Sequence, residues 1–141
     1  LFETSFIELS KSAVRNNVLF IKSLLGSEVV FSSVVKGNAY GHGISNYCPL
    51  AFSAGIRHFS VFSAQEAFFV YQALEGKDFQ LMIMGDVEDG ALEWVIEKKI
   101  EFYVFDQSRL EAAICVCKKL RLKARIHIEI ETGMNRTGFP A

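Results

Sequence analysis

Residues 29–43 read Val29-Val30-Phe31-Ser32-Ser33-Val34-Val35-Lys36-Gly37-Asn38-Ala39-Tyr40-Gly41-His42-Gly43. A short, β-branched apolar run ends on a lysine and passes at once into a glycine-rich loop. The run has the composition of a strand, and the glycines mark its boundary. The same pattern recurs at residues 58–62 (HFSVF), 79–84 (FQLMIM), 101–105 (EFYVF) and 123–131 (KARIHIEIE). Between the runs lie amphipathic stretches. Residues 12–25 place Val14, Val18, Ile21, Leu24 and Leu25 on one face, with Ser10 as a cap and Gly26 as a stop. Residues 64–74, 91–98 and 108–120 have similar spacing. The strand starts are about 21 to 29 residues apart, the length of one βα unit, so the sheet is expected to be parallel. Five such units fit either a doubly wound sheet or the first part of a (β/α)₈ TIM-type barrel, whose full length is about 250 residues. Residues 4–9 (TSFIEL) alternate and are expected to form an extra strand outside that barrel.

Composition narrows the function classes. Of 141 residues, 50% are apolar and 22% charged, which is ample for a packed core. Fifteen basic against sixteen acidic residues leave a net charge of −1, which argues against a nucleic-acid or anionic-membrane partner. No apolar run approaches the roughly 20 residues of a membrane helix. The first residues carry Glu3 and no basic stretch, so no signal peptide is expected. Cys48, Cys115 and Cys117 are an odd number, and Cys115-x-Cys117 is no zinc or redox spacing, so a reducing compartment is expected. The chain begins at Leu1 and stops at Phe139-Pro140-Ala141. Proline is favoured as a first helical residue, so Pro140 is expected to open a helix and the chain to be a piece of a longer one.

In parallel α/β folds, functional residues gather at the C-terminal ends of strands. Lys36 sits there. It either reaches out to solvent from a glycine-rich loop or serves as an amine whose partial desolvation favours Schiff-base formation. Gly37, Ala39, Gly41 and Gly43 let the backbone approach a ligand, and the Tyr40 phenol can donate to a phosphate. The second segment, Glu129-Ile130-Glu131-Thr132-Gly133-Met134-Asn135-Arg136-Thr137-Gly138, closes the fifth strand. Period-two alternation puts Glu129 and Glu131 on one face. Arg136, in a glycine-flanked loop, could pair with either; Glu129 is the expected partner. His58 and His127 lie within strands, where a paired or core histidine is expected, and His42 has no assigned chemistry.

Together the two segments resemble the alanine racemase family, whose barrel binds pyridoxal 5'-phosphate (PLP). VVKGNAYGHG is similar to that family's cofactor-lysine motif and ETGMNRTG to its strand-five motif, in the right order across nearly the whole chain. The resemblance implies that Lys36 holds PLP as a Schiff base and acts as acid and base on one face of the substrate. It implies that Tyr40 binds the cofactor phosphate, that Arg136 serves the cofactor's phenolic oxygen and the substrate carboxylate, and that Met134 walls the pocket. It also implies L- to D-alanine interconversion for peptidoglycan in a cytoplasmic bacterial homodimer, the partner's smaller β-domain supplying a second base. Residues 1–10 would then pair with that further domain, and residues 11–141 would form the N-terminal part of the barrel. The sequence departs from the family pattern at Gly37 (commonly Ala), Glu131 (commonly Asp) and Glu129, where many members carry a lysine, in some carbamylated. Glu129 is expected to take over the role of that anion. The rival expectations are another barrel-type PLP enzyme (a broad-specificity racemase or an amino-acid decarboxylase), a non-catalytic PLP-binding barrel, or a plain α/β domain with Lys36 solvated.

Overall fold

The computed structural model describes residues 5–141. Helix α1 (Lys11–Leu25) begins where the Ser10 hydroxyl accepts the Ala13 N–H at 3.3 Å and stops at Gly26, which has a φ of 77°. Strand β1 (Ser32–Val34) leads through one turn, α2 (Lys36–Tyr40), to helix α3 (Ile44–Ser53). Then β2 (His58–Val61), α4 (Ala64–Ala73), β3 (Gln80–Ile83), α5 (Asp89–Glu97), β4 (Glu101–Val104), α6 (Gln107–Leu120) and β5 (Arg125–Ile128) alternate. Two short strands, β6 (Ile130–Glu131) and β7 (Phe139–Pro140), end the chain.

The five long strands are all parallel, in the spatial order β1-β2-β3-β4-β5. Each crossover therefore lands on the next position in the same direction. A doubly wound sheet must reverse its order at a switch point, and no reversal occurs here. Of the two architectures open to the sequence, the observed one is an arc of a barrel.

One face of the arc meets the helices and carries the core. Phe59, Val61, Ile83, Phe102 and Val104 on the strands are fully buried against Ala67, Val70, Val95 and Ile96 of the helices. The other face is polar. It presents Ser32, His58, Ser60, Glu101 and His127, positions that the parallel register keeps aligned across the sheet.

One helix is added to the expected elements and three expectations change. Helix α3 was not legible in the sequence, because Pro49 interrupts its propensity; Pro49 is nonetheless inside the helix, and Ile44, Cys48 and Ala51 are buried. Phe139–Pro140 is a strand beside β6 and not a helix start, since Phe139 N–H donates to the Glu129 carbonyl at 2.9 Å. On α1 only Val18 of the expected apolar face is buried, while Leu24 is 70% exposed. Of the expected strand at residues 4–9, Thr4 lies outside the described residues and residues 5–9 form no strand.

Candidate functional site

The parallel sheet brings the C-terminal ends of all five long strands to one side, and both sequence segments of interest lie there. Lys36 lies just beyond β1, separated from it by Val35, and is exposed, which is the solvent-facing one of the two placements open to it in the sequence. The backbone then turns left-handed over four consecutive residues: φ is 60° at Gly37, 53° at Asn38, 55° at Ala39 and 53° at Tyr40. For a residue with a Cβ this region costs about 1–2 kcal/mol, and Asn tolerates it best. Strain of this kind persists only where neighbours hold it in place, and it concentrates at functional sites. The holding groups are specific. Ala39 N–H donates to the Val35 carbonyl at 2.8 Å, and the Asn38 side-chain oxygen accepts the Ile44 N–H at 2.9 Å. Gly37 N–H donates to the Glu66 carboxylate at 2.6 Å. The turn buries Ala39 and leaves Tyr40 65% exposed beside Lys36.

The second segment folds differently from its expected arrangement. Glu129 lies between β5 and β6, and its N–H donates to the Val104 carbonyl at 3.0 Å. Its carboxylate accepts from the Thr137 hydroxyl at 2.8 Å. The expected ion pair between Glu129 and Arg136 does not form. The return of the chain into β7 sets Thr137 over Glu129, and the exposed Arg136 side chain has no carboxylate within ion-pair distance among the described residues. Glu131 instead turns inward on its own loop: its carboxylate accepts the backbone N–H groups of Gly133 and of Arg136, the latter at 3.2 Å. Backbone N–H donors, that of Asn135 foremost and Gly133 next, hold its carboxyl below the ordinary range. Met134 is 74% exposed on the same loop. Lys36 and Tyr40 thus stand at one end of the arc, and Met134 and Arg136 at the other, with the polar face between them.

That face carries a connected network. Ser32 and Ser60 share a hydrogen bond of 2.6 Å, and the Ser32 hydroxyl meets His58 Nδ1 at 2.7 Å. Glu101 Oε2 then lies 3.7 Å from His58 Nε2 and 2.8 Å from His127 Nε2. Burial pushes the Glu101 carboxyl up, but the His127 hydrogen bond and the charges of both imidazoles outweigh it, so the group titrates below its ordinary value. His58 and His127 are paired histidines, as expected. Their shared carboxylate was missed, although its alternation with Phe102 on β4 places it on the polar face. Glu66 was missed as well. Its signal was the Ser63-x-x-Glu66 spacing of a capping box ahead of an apolar run. His42 stacks on Tyr47, with ring centroids 6.5 Å apart.

Residues 9–141 match the family model "Alanine racemase, N-terminal domain". "Alanine racemase 2" of Oceanobacillus iheyensis is 31% identical over 138 residues, covering 98% of this chain and 35% of that protein. The solved alanine racemase of Clostridium difficile 630 superposes with a TM-score of 0.82 at 29% identity, covering 92% of this chain and 33% of the other. The alanine racemase of Bartonella henselae, solved with covalently bound pyridoxal phosphate, gives 0.79 at 26% identity over 91% of this chain and 37% of its own. The chain spans about a third of the length of these relatives. A barrel arc with strands in sequence order, a lysine at the end of β1 and a match over residues 9–141 lead to one conclusion: this chain belongs to the alanine racemase family and forms the N-terminal part of its barrel domain.

Proposed function

We propose that the full-length protein is a PLP-dependent alanine racemase, and that this chain supplies the cofactor lysine and part of the cofactor and substrate site. The observation that carries the reading is Lys36, exposed at the C-terminal end of β1 in a chain of this family. The donor set fits the cofactor. An exposed primary amine suits its aldehyde, the exposed Tyr40 phenol suits its phosphate, and the exposed Arg136 guanidinium suits its phenolic oxygen.

When bound, PLP supplies an electron sink that makes the substrate Cα proton acidic. The chain's own residues do the rest. Lys36 Nζ anchors the cofactor and carries a proton to and from one face of Cα. Tyr40 Oη donates to the phosphate. Arg136 orients the substrate carboxylate, and Met134 limits the side-chain space. Glu129, through Thr137, tethers the loop that presents Arg136. Racemisation needs a proton delivered to the opposite face as well; we assign that to a group of a partner subunit in a homodimer. Cytoplasmic supply of D-alanine for peptidoglycan follows from the same family reading. No helix among the described residues is long and apolar enough to cross a membrane.

Borohydride reduction of the PLP-loaded full-length enzyme, followed by peptide mapping, is expected to label Lys36, and Lys36→Ala is expected to abolish both the adduct and racemisation. A reduced adduct on any other lysine overturns the assignment.

A further inference from the structure

Glu66 stands in the first turn of α4, and each oxygen of its carboxylate holds a backbone donor on a different element. Oε2 accepts the Phe62 N–H at 2.9 Å and closes the N-terminus of α4, which the Ser63 hydroxyl caps by accepting the Glu66 N–H at 3.3 Å. Oε1 accepts the N–H of Gly37, the peptide that directly follows Lys36, at 2.6 Å. Among the described residues, this is the one hydrogen bond that ties residues 36–43 to an element other than the adjoining α3; the others close within residues 35–43 or onto α3.

Its position matters because of what begins there. Gly37 is the first of four consecutive left-handed residues, three of which carry a Cβ. That conformation is disfavoured for each of the three, so it needs an anchor at its entry. A carboxylate accepting a backbone N–H is a short, charge-assisted bond. No ion pair joins Glu66 to Lys36 among the described residues, and the contact Glu66 makes with this segment is to its backbone.

We infer that Glu66 is a positioning residue for the cofactor lysine: by gripping the Gly37 N–H it locks the left-handed turn from which Lys36 and Tyr40 are presented. The inference rests on the roles proposed above for those two residues. Gln in its place offers a single acceptor to two donors, and Asp is one methylene too short to span them.

The test uses the full-length protein with Glu66→Gln, Glu66→Asp and Ser63→Ala. The last weakens the α4 cap and leaves the Gly37 contact intact. In the cofactor-free protein, amide exchange over residues 36–41 is expected to speed up by about tenfold or more in both Glu66 variants and to stay unchanged in Ser63→Ala. PLP release should accelerate about tenfold in the Glu66 variants, and kcat should fall about tenfold to a hundredfold with little change in KM. If exchange and PLP release in the Glu66 variants match those of Ser63→Ala, Glu66 is only a helix cap and the inference is wrong. The amide-exchange arm needs no cofactor. A borohydride adduct away from Lys36 would therefore overturn the proposed function while leaving the anchoring of Gly37 separately decided.

Discussion

Glu101 shows how one side chain couples several strands. It accepts from His127 on β5 and faces His58 on β2, which in turn meets Ser32 on β1. Its carboxyl titrates below the ordinary 4.5 in the fold and near the ordinary value in the unfolded chain. Its ionised form therefore favours folding above about pH 4.5, and that contribution disappears as the pH drops through the lower folded value. In the full-length protein, Glu101→Gln is expected to reduce stability by about 1 kcal/mol at neutral pH, a modest figure because His127 is half exposed. The variant should also lose less stability on acidification. Urea midpoints at neutral pH and below pH 4.5 measure both effects, and parallel pH curves for the two proteins would remove Glu101 from this role.

At the scale of elements, the β6–β7 pair is what separates the observed site from the expected one. Ile130 pairs with Phe139 and Glu131 with Pro140, which draws Thr137 over Glu129 and leaves Arg136 outward. Gly138 makes the approach possible. Its φ is 119°, and a Cβ there would lie 2.6 Å from the Glu131 nitrogen. Gly138→Ala therefore combines a backbone clash with a left-handed φ, a cost of about 1–3 kcal/mol. The expected outcome in the full-length protein is faster proteolysis between residues 131 and 141 and weaker PLP retention, with the far-UV spectrum unchanged. Proteolysis at the wild-type rate would show that the pair is not held by this contact.

Across the whole molecule, the arc carries apolar surface on several outer elements. Phe20 on α1 is 64% exposed, Ile114 on α6 45%, Leu122 44% and Ile128 on β5 57%. Among the described residues, β1 and β5 each pair on one side only. A free parallel edge beside exposed apolar side chains recruits further strands. Residues 1–141 produced alone are accordingly expected to self-associate and to show no appreciable racemisation. Light scattering behind size exclusion checks the first part and a D-alanine assay the second; a monodisperse, active monomer would contradict both.

The features legible from the residues were local. Residues 79–84 and 101–105 announced β3 and β4 because β-branched and aromatic runs bounded by Gly and Asp have few other uses. Ser10 announced the start of α1 because its hydroxyl serves a donor three residues away. The motif around Lys36 carried the family for the same reason, since its residues are contiguous. Everything else depended on contacts between distant parts of the chain. The order β1-β2-β3-β4-β5 chose barrel over doubly wound sheet, a choice that spacing cannot make because both folds use the same βα unit. The grip of Glu66 on Gly37 spans 29 residues and that of Glu101 on His127 spans 26, so no local pattern encodes either. Glu129 took Thr137 in place of Arg136 because backbone pairing at Phe139 set where the loop returned, and hydrogen bonds between strands outweigh the pull of an exposed charge in water.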